Sequence, residues 1–213
     1  MKPSDLIDGL ILYLGLVVLL TFHEFGHAWT AWKCGDDTAR LQGRVSLNPL
    51  VHIDPIGTVL LPLLMILLPG AGRFLVGWAR PVPVNPLNLR NPRVDDILVT
   101  LAGPGMNLLL AVVLMGLARV GVAVHSDEMI GFCINTAYLS LLLCYFNLLP
   151  IPPLDGSQVV RSLSGMSYET YHAIARYGIF ILIVVLQLRP VQRIISLATD
   201  GTARAIAGWF GMG

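Results

Sequence analysis

Leu6-Ile7-Asp8-Gly9-Leu10-Ile11-Leu12-Tyr13-Leu14-Gly15-Leu16-Val17-Val18-Leu19-Leu20-Thr21-Phe22-His23-Glu24-Phe25-Gly26-His27 decides how this chain folds. The run from Leu6 to Leu20 is apolar, and it leads into His23-Glu24-Phe25-Gly26-His27, an HExxH pattern. Histidines at i and i+4 share one face of a helix, where both rings can reach a single zinc ion. The glutamate between them can take a proton from a zinc-bound water. A water-soluble hydrolase has no reason to set this pattern in so apolar a helix. Its position points to hydrolysis within the bilayer.

Composition agrees. Of 213 residues, 55% are hydrophobic and 13% charged, and the mean hydropathy is +0.71. Soluble domains carry roughly 25% charged residues. So little charge cannot cover a water-soluble body, and the chain reads as an integral membrane protein in contact with lipid. The net charge of +1 offers no basic field for nucleic acid. Cys34, Cys133 and Cys144 form no CxxC or Cys/His pattern, so they supply neither a metal site nor a disulfide framework. Cys133 and Cys144 read as small hydrophobes. Lys2 precedes the first apolar run, but Asp5 and Asp8 interrupt the charged region and no small-x-small cleavage site follows Leu20. The first helix is therefore expected to be retained.

Five apolar segments follow one another: about 6–32, 56–68, 97–120, 129–149 and 174–188. A span needs about 20 apolar residues, with a range of about 17–25. The second falls short unless it continues through the glycines at 70 and 72, and the fifth is marginal. The tail, 191–213, mixes Ile194, Ile195, Leu197, Ile206, Trp209 and Phe210 with Arg193 and Arg204, the pattern of an interfacial amphipathic helix. Prolines at 81, 83 and 86 forbid a regular helix there. Irregular backbone near a membrane must be buried in protein or line a wet cavity, so a re-entrant or strand-like loop beside the active site is expected. The expected fold is an all-α polytopic membrane protein. It forms one domain over 1–213, with about four to six transmembrane helices and its motifs within 15–160.

A catalytic zinc takes three protein ligands and keeps an open position. HExxH gives two. The third should sit where a polar residue is out of keeping with its apolar surroundings, and Asn147-Leu148-Leu149-Pro150-Ile151-Pro152-Pro153-Leu154-Asp155-Gly156 is such a place. Its prolines end the fourth segment and unwind the backbone, so Asp155 can turn inward as a carboxylate ligand. Gly156 permits a close approach or a positive φ. Asn147 offers a neutral amide donor to an oxyanion or a substrate backbone. Placed within a membrane, Glu24 and Asp155 would each cost roughly 2.5–3.5 kcal/mol, and a metal supplies the compensating charge.

HExxH in a membrane helix, followed by N-x-x-P-x-P-x-L-D-G, resembles the site-2 protease family of intramembrane zinc metalloproteases. Ala102-Gly103-Pro104-Gly105-Met106-Asn107 resembles that family's G-P-x-x-N helix. The loops Gly43–Pro49 and His52–Thr58 look like its compact prokaryotic branch, with no room for a PDZ or CBS domain. The resemblance implies an intramembrane zinc metalloendopeptidase of the cell membrane. It would carry one Zn2+ on His23, His27 and Asp155, with Glu24 as general base and Asn147 holding substrate or oxyanion. Its substrates would be transmembrane segments of other proteins. The rival class is a non-enzymatic membrane zinc protein or transporter, which predicts further acidic or histidine residues deep in several helices. A scaffold without activity would not need Glu24.

Other residues carry plainer expectations. Asn107 should tie helices together through its side chain. His52, between Pro49 and Pro55, reads as a turn or surface histidine. Arg73, Arg80, Arg90 and Arg93 mark a face at the membrane surface. Asp54 starts the turn before Pro55. One metal held by the ends of the first and fourth segments requires those segments to run in the same direction. The second segment then cannot be a lone crossing: it dips and returns, or 70–84 brings it back. This scheme puts Lys33, Arg40, Arg44, Arg73, Arg80, Arg90, Arg93 and Arg161 on the active-site side. It leaves Lys2, Arg119, Arg193 and Arg204 opposite. The positive-inside rule then predicts a cytoplasmic active site.

Overall fold

The computed structural model describes residues 3–67 and 77–212, and no strand occurs among them. The first apolar run continues through HExxH as one helix, α1 (Pro3–Lys33). An uninterrupted helix satisfies every backbone group internally, which lipid demands. The loop that follows contains the one-turn helix α2 (Thr38–Leu41) and a short turn at Pro49–Val51. The second apolar segment opens with a wide turn at Pro55–Leu60 and continues as α3 (Leu61–Leu67). Asp54 caps it, accepting from the backbone N–H groups of Ile56 (3.0 Å) and Gly57 (2.7 Å), as the sequence leads one to expect.

Two long helices make the centre of the bundle: α4 (Pro92–Ala123) and α5 (Asp127–Asn147). The Ser126 hydroxyl caps α5 by accepting from Met129 N–H at 3.3 Å. Then come α6 (Asp155–Ser164), α7 (Tyr168–Ala175), α8 (Gly178–Leu186) and α9 (Arg189–Trp209). Among the described residues, three helices, α1, α4 and α5, are long and apolar enough to cross a membrane, and the pair α7–α8, bent by 58°, brings the number to four at most. The protein is a polytopic all-α membrane protein, at the lower end of the expected number of crossings.

Contacts fix the relative directions. His27 and His23 of α1 meet Val99 and Asn107 of α4 respectively, so these two helices are antiparallel. Gly15 lies against Thr136, while Leu16 and Leu20 pack in one cluster with Leu139 and Leu143, so α1 and α5 run the same way. The loops on either side of the second segment also lie together. Arg80 N–H donates to the His52 carbonyl at 2.9 Å, and Arg90 N–H to the Cys34 carbonyl at 3.0 Å. The segment that enters at Pro55 has therefore come back by Gly77. Residues 68–76, including the glycines at 70 and 72 and Arg73, lie outside the described residues.

The tail is a single amphipathic helix, as expected, but it does more than face lipid. Ile195, Thr199, Ala203 and Ile206 of α9 are buried, and Ala203 and Ile206 share a cluster with Ala111, Met115, Ala137 and Leu141. The Tyr145 and Thr202 hydroxyls are 2.5 Å apart, and Phe210 packs beside Gly116. α9 thus runs antiparallel to α5, and its first half extends past the active-site end. At 1.5 Å per residue, Arg193 lies about 13 Å beyond Thr202 in that direction. That moves Arg193 from the far side, where the sequence reading had it, to the active-site side.

Candidate active site

Residues of four elements converge at one end of the bundle. His23, Glu24 and His27 come from α1 and are 5%, 9% and 8% exposed. Asp155 is the first residue of α6, and it reaches the histidines because the chain unwinds after Asn147 through the Pro150-Ile151-Pro152-Pro153 turn. Gly156 allows this by close approach rather than by positive φ: a Cβ there would overlap the carbonyls of Leu148 and Leu149.

His23 Nε2 lies 3.0 Å from His27 Nε2. Asp155 Oδ2 lies 3.2 Å from the first and 3.5 Å from the second. The three ligand atoms fall within 4.8 Å of one another. Asp155 Oδ2 is buried without a hydrogen-bond partner, and an unpartnered buried carboxylate oxygen is costly. Two imidazole nitrogens and one carboxylate oxygen converging on one point form the donor set of a catalytic zinc site, so these residues fit the metal.

Helix α4 backs this cluster. The His27 Nδ1–H donates to the Val99 carbonyl at 2.7 Å, which leaves the Nε2 lone pair facing the cluster. Gly103 faces both rings, and a Cβ in its place would overlap them. The Asn107 side chain lies 3.2 Å from His23 Nδ1, and its backbone carbonyl accepts from the Ser140 hydroxyl of α5 at 2.7 Å. Asn107 therefore ties three helices together, as the sequence reading anticipates.

A cavity of about 450 Å³ opens beside the cluster. The chain from Gly77 to Asn85 is extended, pairs with no strand, and forms one wall through Trp78, Ala79, Pro81, Val82 and Val84. Val82 N–H donates to Glu24 Oε2 at 3.0 Å. Three amides of this wall, at alternate residues, face the protein: Trp78 N–H donates to the Gly57 carbonyl, Arg80 N–H to that of His52, and Val82 N–H to Glu24. The expected loop is present, extended yet not part of a sheet.

Asn147 is in the cavity wall. One of its amide hydrogens goes to the Leu143 carbonyl at 2.9 Å, within the last turn of α5. Only the remaining hydrogen is available to a substrate.

Several residues escaped the sequence reading. His52 is a turn residue but not a surface one: it is 2% exposed, its Nε2–H donates to the Ser46 carbonyl at 2.8 Å, and burial lowers its pKa below the usual value. Arg44 is buried and donates to the Arg80 and Pro81 carbonyls, so it clamps the wall from behind. Asp36 accepts from Asn85 N–H (2.7 Å), the Asn88 amide (3.0 Å) and Thr38 N–H (3.0 Å). Burial pushes its carboxyl up, but these bonds outweigh burial and hold it below the ordinary carboxylate range. Asp96 of α4 pairs with Arg161 and Ser162 of α6, and Arg93 donates to the Ser162 and Leu163 carbonyls at 2.9 and 2.5 Å. These contacts lock α6, and with it Asp155, against α4.

Residues 11–132 and 119–186 match the model of Peptidase family M50. The chain is 39% identical over 198 residues to "Putative zinc metalloprotease YwhC" of Bacillus subtilis, covering 89% of this chain and 84% of that protein. It is 36% identical over 196 residues to "Putative zinc metalloprotease Rip2" of Mycolicibacterium smegmatis, covering 89% and 71%. Against the protein of the same name from Mycobacterium tuberculosis it is 37% identical over 175 residues, covering 82% and 64%. No solved structure matches the chain.

Proposed function

The chain belongs to Peptidase family M50 and is an intramembrane zinc metalloprotease, and we propose that His23, His27 and Asp155 hold its zinc, with Glu24 as general base. The convergence of those three ligand atoms within 4.8 Å, beside Glu24, carries this reading. When bound, zinc lowers the pKa of a water and polarises the scissile carbonyl. Glu24 takes the proton of the attacking water and passes it to the leaving amine. The Val82 N–H fixes one of its oxygens, which leaves the other to take the proton. The free amide hydrogen of Asn147 donates to the oxyanion or to the substrate backbone.

The substrates are membrane proteins, and we assign the cut to a transmembrane segment at its cytoplasmic end. A peptide bond inside a helix is shielded, so the substrate must unwind to lie along the extended 77–85 wall. Prolines at 81 and 83 carry no N–H, so the outer edge of the wall offers mainly carbonyls, and substrate N–H groups would supply the bonds. Lys33, Arg40, Arg44, Arg80, Arg90, Arg93, Arg161 and Arg193 are at the active-site end, against Arg119 at the far end of α4. The positive-inside rule assigns the active-site end to the cytoplasm.

Metal analysis of purified protein tests the ligand set. Wild type should hold one zinc per chain, and His23→Ala, His27→Ala and Asp155→Ala should each lose it. Asp155→Ala with a full, equally tight complement of zinc would remove Asp155 from the set.

A further inference from the structure

Each zinc-binding histidine must present a lone pair on Nε2, so its Nδ1 must carry the proton. For His27 the structure supplies the reason: the Val99 carbonyl can only accept, so Nδ1 is protonated. For His23 the group facing Nδ1 is the Asn107 side chain. Its Nδ2 is placed 3.2 Å away, while its Oδ1 is buried with no partner, in a residue that is 0% exposed. An amide nitrogen beside Nδ1 would select the wrong tautomer, with the proton on Nε2. It would also leave a buried carbonyl oxygen unpaired at a cost of about 1–3 kcal/mol. A half-turn of the amide, which leaves its shape unchanged, corrects both: Oδ1 accepts from Nδ1–H, and the Nε2 lone pair faces His27 and Asp155.

We propose that Asn107 is a positioning residue that accepts the Nδ1–H of His23 and thereby sets the tautomer and ring orientation of that ligand. The proposal rests on the ligand set given above. Groups that hold the second nitrogen of a metal-binding histidine typically contribute 10–100-fold in metal affinity. Asn107 can do this because it lies inside α4, whose helical backbone is fixed independently of the side chain. Asn107 thus does more than join helices.

The test is zinc affinity of the full-length, detergent-solubilised protein, by competition against a chromophoric chelator. Absorption spectra of the cobalt-substituted protein and the melting temperature of the zinc-free protein are measured alongside. Asn107→Leu keeps the volume and removes the acceptor; it should weaken zinc about 10–100-fold and alter the cobalt spectrum. Asn107→Asp keeps the acceptor and cannot donate; it should bind zinc within a few-fold of wild type. Ser140→Ala loosens the helix contact without touching the acceptor, and should leave zinc affinity unchanged. Wild-type affinity in Asn107→Leu overturns the proposal. So does an Asn107→Asp protein as weak as the leucine variant, or a zinc-free melting temperature that falls in step with affinity. His23→Ala separates the two readings. Retained zinc there refutes the ligand set itself, whereas lost zinc there with normal binding in Asn107→Leu refutes only the role of Asn107.

Discussion

Glu24→Gln should abolish cleavage while leaving fold and zinc in place. The replacement is nearly isosteric, and the glutamine carbonyl oxygen can still accept from Val82 N–H, the bond that Glu24 Oε2 makes at 3.0 Å. None of the three ligand positions changes. The oxygen free to take a proton is replaced by an amide nitrogen that cannot. A general base contributes about 10²–10⁴-fold, and here the same group also protonates the leaving amine, so the loss should sit at the upper end. A 10⁴-fold loss corresponds to about 5 kcal/mol in the barrier. Removing a buried charge from a membrane helix should not lower stability. The assay is turnover of a membrane-segment substrate in liposomes, with zinc content and melting temperature measured on the same preparations. A glutamine variant that turns over within about tenfold of wild type, zinc intact, would remove Glu24 from the chemistry.

Gly103→Ala should deplete zinc although alanine is the better helix former by about 1 kcal/mol, because the new Cβ would strike both histidine rings; unchanged zinc content would show that α4 can retreat at no cost to the site. Asp36→Ala should destabilise the protein by about 1–3 kcal/mol in thermal melting, since it unties the 34–38 loop from Asn85 and Asn88. The Asp36 pKa is depressed in the folded protein, so its contribution is full above the unfolded value and is lost as pH falls through the folded one. The alanine variant should therefore lose less stability on acidification than wild type, and an equal loss would exclude Asp36 from that dependence. Single cysteines placed near Pro49 and near Asn91 should react with an impermeant reagent from the same face of the membrane; reaction from opposite faces would overturn the returning second segment.

The sequence exposed what covalent spacing controls. HExxH needs only five residues of helix to bring two rings together, and the proline run after Asn147 announces the break that delivers Asp155. The common direction of α1 and α5 followed from one metal and two chain ends, without any contact being known. What stayed hidden was pairing across long separations. Asp96 meets Arg161 65 residues on, and Asn107 meets His23 across 84. An arginine in a polar loop looks the same whether it faces water or, like Arg44, clamps a carbonyl 36 residues away. His52 misled for the same reason: prolines on both sides mark a turn, but a turn packed beneath another segment is buried. The amphipathic pattern of the tail fixed a helix and its apolar face, but not whether lipid or protein would cover that face.

The packing of α4 on α1 shows why a metal site can be built with so few polar groups in the bilayer. Two histidines one turn apart bring Nε2 together, at 3.0 Å, only if their Nδ1 atoms turn outward. The supporting helix must then offer an acceptor beyond each ring and nothing between. Val99 and Asn107 are eight residues apart, about 12 Å along α4, and meet His27 and His23 respectively. Gly103, midway, leaves the rings their space. Because the helices are antiparallel, the order on α4 is the reverse of that on α1. One of the two acceptors is a backbone carbonyl that the helix already carries, so only the other needs a polar side chain. A carbonyl cannot be removed by substitution at Val99, so the His27 side should tolerate side-chain changes there that the His23 side does not tolerate at Asn107. Val99→Leu should keep its zinc where Asn107→Leu loses affinity; equal losses at the two positions would mean that packing, and not the two acceptors, governs the histidines.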